Sequence, residues 1–227
     1  MIDIHTHILP RMDDGASDIA EALSLLRSEH SDGVETVVLT PHFKTHRDNL
    51  VEFLQKREQA YTYLAEAAED IPVKLLLGAE ITYTSDLPSR DLEPLCISGT
   101  RTLLIELPTV SYPSSTQEVF YSLTKKGFMP IAAHIDRYSY IMQNPDMLDD
   151  FLLSGALIQV NAESLLRGVK LRKRILELIE RKRVNIIATD AHSMKQRPPM
   201  LGRAMCLIKK KLGDDVAGFL NNVPGLL

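Results

Sequence analysis

The sequence predicts an α/β fold in which seven strand–helix units close into a barrel. Seven short apolar runs alternate with amphipathic stretches along the chain, and this alternation is typical of repeated βα units. Nine residues able to bind metal lie at or just beyond the ends of six of these runs. Because strand ends of an α/β barrel meet on one face, these side chains are expected to converge there.

Each apolar run has the length and composition of a short buried strand. The runs occupy residues 1–4, 35–40, 73–79, 102–105, 129–133, 156–160 and 184–189. A doubly wound open sheet is the other α/β arrangement to consider. Seven runs in regular alternation with helical segments favour the seven-unit barrel.

Seven amphipathic segments are predicted helices. They span Ser17 to His30, Asn49 to Glu69, Ser115 to Lys126, Pro145 to Leu153, Lys170 to Arg181, Pro199 to Leu212 and Asp214 to Asn221. Turn-forming and capping side chains from Asp14 to Ser17 precede the first helix. Gly33, Gly127 and Gly155 are expected to end three of the helices.

Length and composition limit the class of protein. With 227 residues, 44% of them hydrophobic, the chain can form one core, so we expect a single domain over residues 1–227. No apolar run approaches the roughly 18 residues that span a bilayer, and the start lacks a signal-peptide pattern. These features predict a cytoplasmic protein with no membrane insertion. A net charge of −4 argues against nucleic acid as a partner.

Two dyads of metal-binding residues occur near opposite ends of the chain, one His/His and one Asp/His. His5 and His7 are separated by one residue, as are Asp190 and His192. In a strand this spacing places both side chains on the same face, where they can reach one ion. If the last strand of a barrel pairs with the first, the two dyads become neighbours.

The remaining candidate ligands follow other apolar runs or the first dyad. They are Asp14, His42, Glu80, Glu106 and His134. A carboxylate directly after a buried strand is costly without a partner, and a metal ion is one partner that removes the cost. Each residue alone could be an ordinary loop residue bound to a backbone amide. Their joint occurrence at successive strand ends instead predicts a multinuclear metal site.

Several motifs carry a family resemblance. Residues 2–8, 12–15, 40–42, 78–80, 105–106, 133–138 and 188–192 occur in the order seen in the polymerase and histidinol phosphatase (PHP) family. More narrowly, the chain resembles the PHP-type protein tyrosine phosphatases of bacterial capsule and exopolysaccharide operons. The resemblance extends from His5 to the segment 197–199, and it implies a distorted (β/α)7 barrel with its metal site at the C-terminal ends of the strands.

The same resemblance implies three divalent ions, often manganese. His5, His7, Glu80 and Asp190 would hold the first, and Glu80 would bridge to a second that is also held by Glu106 and His134. Asp14, His42 and His192 would hold the third. Since no thiolate is among these ligands, iron, zinc and magnesium also suit the site.

Two arginines are expected to bind phosphate. Arg137 lies three residues past His134, and Arg197 lies five past His192. Both match the family's phosphate-binding arginines, and a guanidinium can grip phosphate oxygens with two parallel hydrogen bonds. His46, Arg11 and Tyr83 lie near candidate ligands in sequence but are assigned no role.

The predicted activity is hydrolysis of phosphotyrosine on a bacterial tyrosine kinase tail linked to polysaccharide export, by attack of a metal-bound hydroxide. A thiol mechanism requires a cysteine followed by five residues and arginine. Cys96 and Cys206 lack that spacing, and both are expected to be buried and structural. Two alternatives remain: a small-molecule phosphoesterase such as histidinol-phosphate phosphatase, and a noncatalytic metal-dependent binding module. Metal identity and oligomeric state are left open.

Overall fold

The computed structural model describes residues 1–221, in which nine strands alternate with helices. The strands are β1 (Ile2–Thr6), β2 (Thr36–Leu39), β3 (His42–Phe43), β4 (Lys74–Leu77), β5 (Glu80–Thr82), β6 (Thr102–Glu106), β7 (Met129–Ala132), β8 (Leu157–Asn161) and β9 (Ile186–Ala188). The helices are α1 (Ile19–Ser31), α2 (Leu50–Ala67), α3 (Thr116–Lys125), α4 (Ser139–Gln143), α5 (Met147–Leu153), α6 (Ala162–Leu166), α7 (Val169–Glu180), α8 (Leu201–Leu212) and α9 (Asp214–Phe219).

The strands form two parallel sheets, one with the order β1-β2-β4 and one with the order β3-β5-β6-β7-β8-β9. Two of the predicted strands each correspond to a pair of consecutive short strands. The run 35–40 and the residues after it form β2 and β3, and the run 73–79 and the residues after it form β4 and β5. Seven strand positions therefore correspond to the seven predicted runs. The mixed α/β class with parallel sheets is confirmed.

The two ends of the chain meet beside β1. The Asp190 backbone N–H donates to the His5 carbonyl at 2.9 Å, and the His7 N–H donates to the Ala191 carbonyl at 2.8 Å. Thr6 forms a parallel bridge with Ala191. The two predicted dyads are consequently neighbours, as expected from a last strand that lies against the first.

Alternate residues of the strands enter two separate apolar clusters. Val38, Leu104 and Ile186 belong to a small cluster of buried side chains contributed by several strands. Their neighbours Val37 and Leu103 instead belong to the large cluster beneath the helices. Because side chains alternate between the faces of a strand, these strands are covered on both faces, which explains why they read as continuous apolar runs.

The predicted helices are present with ends shifted by a few residues, and the caps explain two starts. The Asp18 side chain accepts from the Glu21 N–H at the start of α1, and Asn49 caps α2 by accepting from the Glu52 N–H. The short helices α4 and α6 were not predicted. The expectation of two buried cysteines is wrong for Cys206, which is exposed, whereas Cys96 is buried.

Within residues 1–221, no helix combines the length and apolar character needed to cross a bilayer. The predicted single domain extends to residue 227, and its last six residues lie outside the described part of the chain.

Two buried carboxyl groups, Asp3 on β1 and Glu29 on α1, lie next to each other. Asp3 and Glu29 are both fully buried, and Glu29 accepts a hydrogen bond from the Thr189 hydroxyl at 3.3 Å. Burial raises the pKa of Glu29 well above its usual value, and the neighbouring Asp3 carboxyl raises that pKa further. The folded protein therefore favours a protonated Glu29.

Replacing Glu29 with glutamine is expected to change how stability depends on pH. A raised carboxyl pKa stabilises the folded state below the unfolded pKa, and this contribution is lost as pH rises towards the folded pKa. The wild-type free energy of unfolding should thus fall, relative to that of Glu29→Gln, as pH rises above about 4.5. Urea unfolding of both metal-free proteins across pH 5–8 measures this difference in the free energy of unfolding. Exposed Glu66→Gln is the control, and parallel curves for wild type and Glu29→Gln would contradict the expectation.

Candidate metal centre

The nine predicted ligands come together at one end of the sheets. They form four groups whose ligand atoms lie within 4.8 Å of one another. The groups are His7, Asp14, His42 and His192; His5, His7 and Asp190; His5, Glu80 and His134; and His42, Glu80 and Glu106. Except for Asp14, which lies in the loop between β1 and α1, each residue lies on a strand or within four residues of its end, so the parallel strands position most of the set.

Glu80 lies at the centre of this cluster. Its Oε1 is 2.7 Å from His134 Nε2 and 3.4 Å from His5 Nε2. Its Oε2 is 3.0 Å from His42 Nδ1 and 3.2 Å from His7 Nε2. Pairing of β3 with β5 sets His42 directly opposite Glu80. Each oxygen of Glu80 therefore faces a different pair of histidines.

The cluster is closed on one side and open on the other. The side chains of His5 and Glu80 are 0% exposed, whereas those of Glu106 and Asp14 are 24% and 64% exposed. The side of the cluster at Asp14 and Glu106 is therefore open to solvent.

Glu80 and Asp190 are the two carboxylates that carry negative charge in the buried part of the cluster. Burial alone would raise the pKa of Glu80, but His5 and His134 outweigh it and hold that pKa well below its usual value. Burial also opposes ionisation of Asp190, and His5 and His7 bring its pKa below the usual range. Two ionised carboxylates at this depth require positive partners.

The residues present fit bound divalent cations. Within the described chain, Glu80 Oε2, Asp190 Oδ1 and His192 Nε2 are buried atoms with no hydrogen-bond partner. Buried polar atoms in folded proteins are nearly always satisfied. Oxygen and imidazole nitrogen are ligands that manganese, iron, zinc and magnesium accept. Cations among these atoms would supply the missing partners.

Two histidines are oriented by acceptors outside the ligand set. His7 Nδ1 lies 2.7 Å from Asp13 Oδ2, and His192 Nδ1 lies 2.8 Å from the Asp190 carbonyl oxygen. A carbonyl can only accept, so Nδ1 of His192 carries the hydrogen and its Nε2 keeps a lone pair. Burial and the neighbouring His7 lower the pKa of His192 to about 3, which keeps the ring neutral and able to bind metal near neutral pH.

Both predicted arginines lie at the centre. Arg137 Nη2 is 2.5 Å from Asp190 Oδ2. Arg197 bridges two candidate ligands, with Nη1 at 3.3 Å from Asp190 Oδ2 and Nη2 at 3.3 Å from Asp14 Oδ2. Their side chains are 34% and 24% exposed. Each guanidinium is thus anchored on a carboxylate while part of it still faces solvent.

The backbone is strained at two of the candidate ligands. His134 has φ 30° and Asp190 has φ 54°, both in the left-handed region. Residues other than glycine rarely adopt this backbone conformation, and those that do are often found at functional sites. The fold maintains both residues there because their side chains point into the cluster.

Three residues near the ligands were missed by sequence reasoning. Asp13 orients His7 and also accepts from the His42 N–H at 2.9 Å. Gln159 and Asn161 lie on β8, which supplies no ligand. Asp13 had a signal, because it immediately precedes Asp14. Two polar residues inside an apolar strand were the only signal for the other two.

Three residues near the candidate ligands in sequence were left without a role, namely Tyr83, His46 and Arg11. Tyr83 is buried, and its hydroxyl lies 2.9 Å from the Ser115 hydroxyl. His46 is exposed on the loop after β3. Arg11 is exposed, and its Nε donates to the Ser17 carbonyl at 3.3 Å. None of them has a structural contact that supports a catalytic role.

The fold and the cluster together define an α/β protein with a largely buried group of histidines and carboxylates that could hold metal ions. Residues 1–223 match the family described as "Capsular polysaccharide synthesis, CpsB/CapC". The chain belongs to this family, which confirms the resemblance predicted from its motifs.

Named relatives agree with this membership. The chain is 33% identical over 235 residues to tyrosine-protein phosphatase YwqE of Bacillus subtilis, covering 100% of this chain and 91% of that protein. It is 37% identical over 208 residues to the putative tyrosine-protein phosphatase CapC of Staphylococcus aureus, covering 88% and 80%.

A solved structure extends the similarity to three dimensions. It comes from crystal structures of YwqE from Bacillus subtilis and CpsB from Streptococcus pneumoniae, described as unique metal-dependent tyrosine phosphatases. The TM-score is 0.85 at 31% identity, over 96% of this chain and 90% of that chain.

Proposed function

We propose that this chain is a metal-dependent tyrosine-protein phosphatase, a phosphoric monoester hydrolase of capsular or exopolysaccharide synthesis. Its substrate is the phosphotyrosine of a bacterial tyrosine kinase tail in that pathway. The observation that carries the proposal is that Arg137 and Arg197 both form ion pairs with Asp190, one of the candidate metal ligands. That arrangement combines anion-binding groups with a cation centre, as phosphate-ester hydrolysis requires.

The proposed ligands would hold three divalent ions, most simply manganese. They are His5, His7, Asp14, His42, Glu80, Glu106, His134, Asp190 and His192. Such ions supply positive charge to the phosphate oxygens and acidify a water molecule so that it can act as the nucleophile. Arg137 and Arg197 bind and orient the phosphate through fork-shaped donors. The buried walls around His5 and Glu80 limit the entry of bulk water.

A closed, distorted (β/α)7 barrel in a single domain is part of the proposal. The backbone hydrogen bonds between residues 5–7 and 190–191 support it, as does the small apolar cluster that several strands share. A cytoplasmic location and the kinase tail as partner stay predictions.

The open side of the centre supports a protein substrate over a small one. A cavity of about 760 Å³ opens beside Asp14, His42 and Glu106, and Lys56 lies on its wall. A second cavity of about 540 Å³ adjoins it and also contacts Lys56. Polypeptide on either side of a phosphotyrosine needs such space, whereas a histidinol phosphate molecule needs less.

The test is a side-by-side assay of metal-loaded protein. Phosphate release is measured from a phosphotyrosine peptide and from histidinol phosphate at equal concentrations. A higher kcat/KM for the peptide is expected. A preference for histidinol phosphate would overturn the substrate, and release from neither would favour the noncatalytic binding module.

Removing either arginine is expected to weaken catalysis without removing the metal. A hydrogen bond to a charged group contributes about 1.5–3 kcal/mol, so Arg137→Ala and Arg197→Ala should each lower kcat/KM roughly 10- to 200-fold. Arg137→Lys, which keeps charge without the planar fork, should recover only part of the loss.

The matched control is Arg167→Ala, because the Arg167 side chain is 63% exposed and its ion pair in the described chain is with Glu163, four residues earlier. Calorimetric metal titration accompanies each assay. Full activity in both site variants would refute the phosphate-binding role.

A further inference from the structure

Strand β8 contributes no candidate ligand, yet two polar side chains on it reach the metal centre. Gln159 is 0% exposed and Asn161 is 3% exposed. Both carry amide side chains, whereas the candidate ligands among residues 1–221 are His, Asp and Glu side chains. Buried amides of this kind must be fully hydrogen-bonded to be tolerated, so their partners indicate what they do.

One unambiguous donor fixes the orientation of Gln159. The His134 backbone N–H donates to Gln159 Oε1 at 2.7 Å. A backbone N–H cannot accept, so this atom of the amide is the oxygen and the opposite atom is the nitrogen. Gln159 Nε2 then donates to Asn161 Oδ1 at 2.8 Å. The second amide is oriented in turn, and Asn161 Nδ2 donates to Asp190 Oδ2 at 3.1 Å.

This orientation favours one tautomer of His5. His5 Nδ1 lies 3.2 Å from the same Gln159 Oε1. Because that oxygen can only accept, a hydrogen bond between these two atoms places the hydrogen of a neutral His5 on Nδ1. His7 Nε2, 3.1 Å from His5 Nε2, is the competing acceptor that would favour the other tautomer. In the Nδ1–H tautomer, His5 Nε2 keeps the lone pair and lies 3.4 Å from both Glu80 Oε1 and Asp190 Oδ1. The nitrogen that faces the cluster is therefore the one able to bind a cation.

The other end of the same chain of hydrogen bonds acts on Asp190. Three donors, from Asn161, Arg137 and Arg197, converge on Asp190 Oδ2. Asp190 Oδ1 is buried without a hydrogen-bond partner in the described chain. The carboxylate is thereby held with one oxygen occupied by donors and the other directed at His5 and His7.

We propose that Gln159 and Asn161 are positioning residues that set the metal centre before any ion binds. Gln159 selects the Nδ1–H tautomer of His5, and Asn161 fixes the rotation of Asp190. One uninterrupted chain of hydrogen bonds thus orients two ligands from a strand that carries none. Outer partners of this type commonly contribute 10- to 100-fold to metal affinity. The proposal rests on the proposed function only in taking this cluster as the metal centre.

A purely structural role for the two amides is the competing explanation. In that case they would stabilise the packing between β7, β8 and the segment after β9, and their loss would lower stability alone. The two explanations differ in what happens to the His5 ring, because packing does not select between tautomers.

The experiment measures the His5 tautomer in metal-free protein by ¹⁵N NMR of the imidazole nitrogens. Wild type is expected to show the hydrogen on Nδ1. Gln159→Met keeps the length of the side chain but has no acceptor, so it should show a mixture of tautomers and bind Mn²⁺ 10- to 100-fold more weakly by calorimetry. Leu157→Met, on the same strand, is the matched control and should leave both readouts unchanged.

A second variant separates the two ends of the chain of hydrogen bonds. Gln159→Glu keeps an oxygen for His5 and for the His134 N–H but cannot donate to Asn161. It is expected to retain the Nδ1–H tautomer and still lose Mn²⁺ affinity. This variant also decides the question if Gln159→Met fails to fold.

The wild-type tautomer and wild-type affinity in Gln159→Met would overturn the proposal, as would loss of the Nδ1–H tautomer in Gln159→Glu. Neither readout uses turnover. If wild type binds Mn²⁺ as expected but releases no phosphate, the proposed function fails while the positioning role stands.

Discussion

Replacing Glu80 with glutamine is expected to lower kcat/KM for a phosphotyrosine peptide by about 10³-fold, since charge stabilisation by bound ions is worth several kcal/mol. Glu80 belongs to two of the four ligand groups, and its two oxygens face four histidines. Glutamine has nearly the same shape but offers one oxygen and no charge. Metal content after dialysis should therefore fall together with activity.

The control for this change is Glu118→Gln, an exposed carboxylate on α3. Thermal unfolding of the metal-free proteins shows whether the fold is kept. Removing a buried anion among histidines is not expected to unfold the protein, because the desolvation cost of that anion disappears with it. A Glu80→Gln variant with wild-type metal content and turnover would show that Glu80 is not a ligand.

Replacing Gly15 with alanine is expected to disrupt the open side of the site. A Cβ at this position would lie 2.0 Å from the His7 carbonyl oxygen and 2.6 Å from His7 Cβ. The loop must then move away from β1, and it carries Asp13 and Asp14. Overpacking of this kind costs about 1–3 kcal/mol, and displacing a catalytic group by about 1 Å can cost roughly 10²-fold in rate.

Gly218→Ala provides the comparison for that variant. Nothing lies within 4 Å of a Cβ at Gly218, which lies in α9, and alanine favours a helix. Chemical unfolding and peptide hydrolysis are measured for both variants. If Gly15→Ala matched wild type in both assays, the loop would not be held against His7 as described.

The convergence of the candidate ligands could be predicted from the sequence because strand ends impose an order that the chain displays. His5, Glu80, His134 and Asp190 each follow or end an apolar run, and parallel strands bring such positions together. The sequence could not show that one candidate ligand lies within reach of several others. Glu80 lies within reach of both His134 and His42, and this proximity depends on side-chain rotation, which no spacing encodes.

Residues that orient the ligands were harder to predict for a physical reason. Gln159 and Asn161 act through the direction of their hydrogen bonds. That direction depends on the backbone N–H of His134, which lies just beyond the end of β7. Short helices such as α4 and α6, of five residues each, show too few turns for a periodic pattern. Cys206 was expected to be buried and structural because two cysteines are too few for a disulfide framework, but its side chain is exposed.

Bound divalent cations at this cluster are proposed to drive the hydrolysis of phosphotyrosine. The most direct measurement titrates Mn²⁺ into metal-stripped protein while recording bound metal and phosphate release from a phosphotyrosine peptide in the same samples. We expect no release before metal is added, a rise in release that follows metal binding, and saturation near the three ions per chain proposed above. Release by stripped protein in the presence of a chelator, or metal binding that leaves release unchanged, would contradict it.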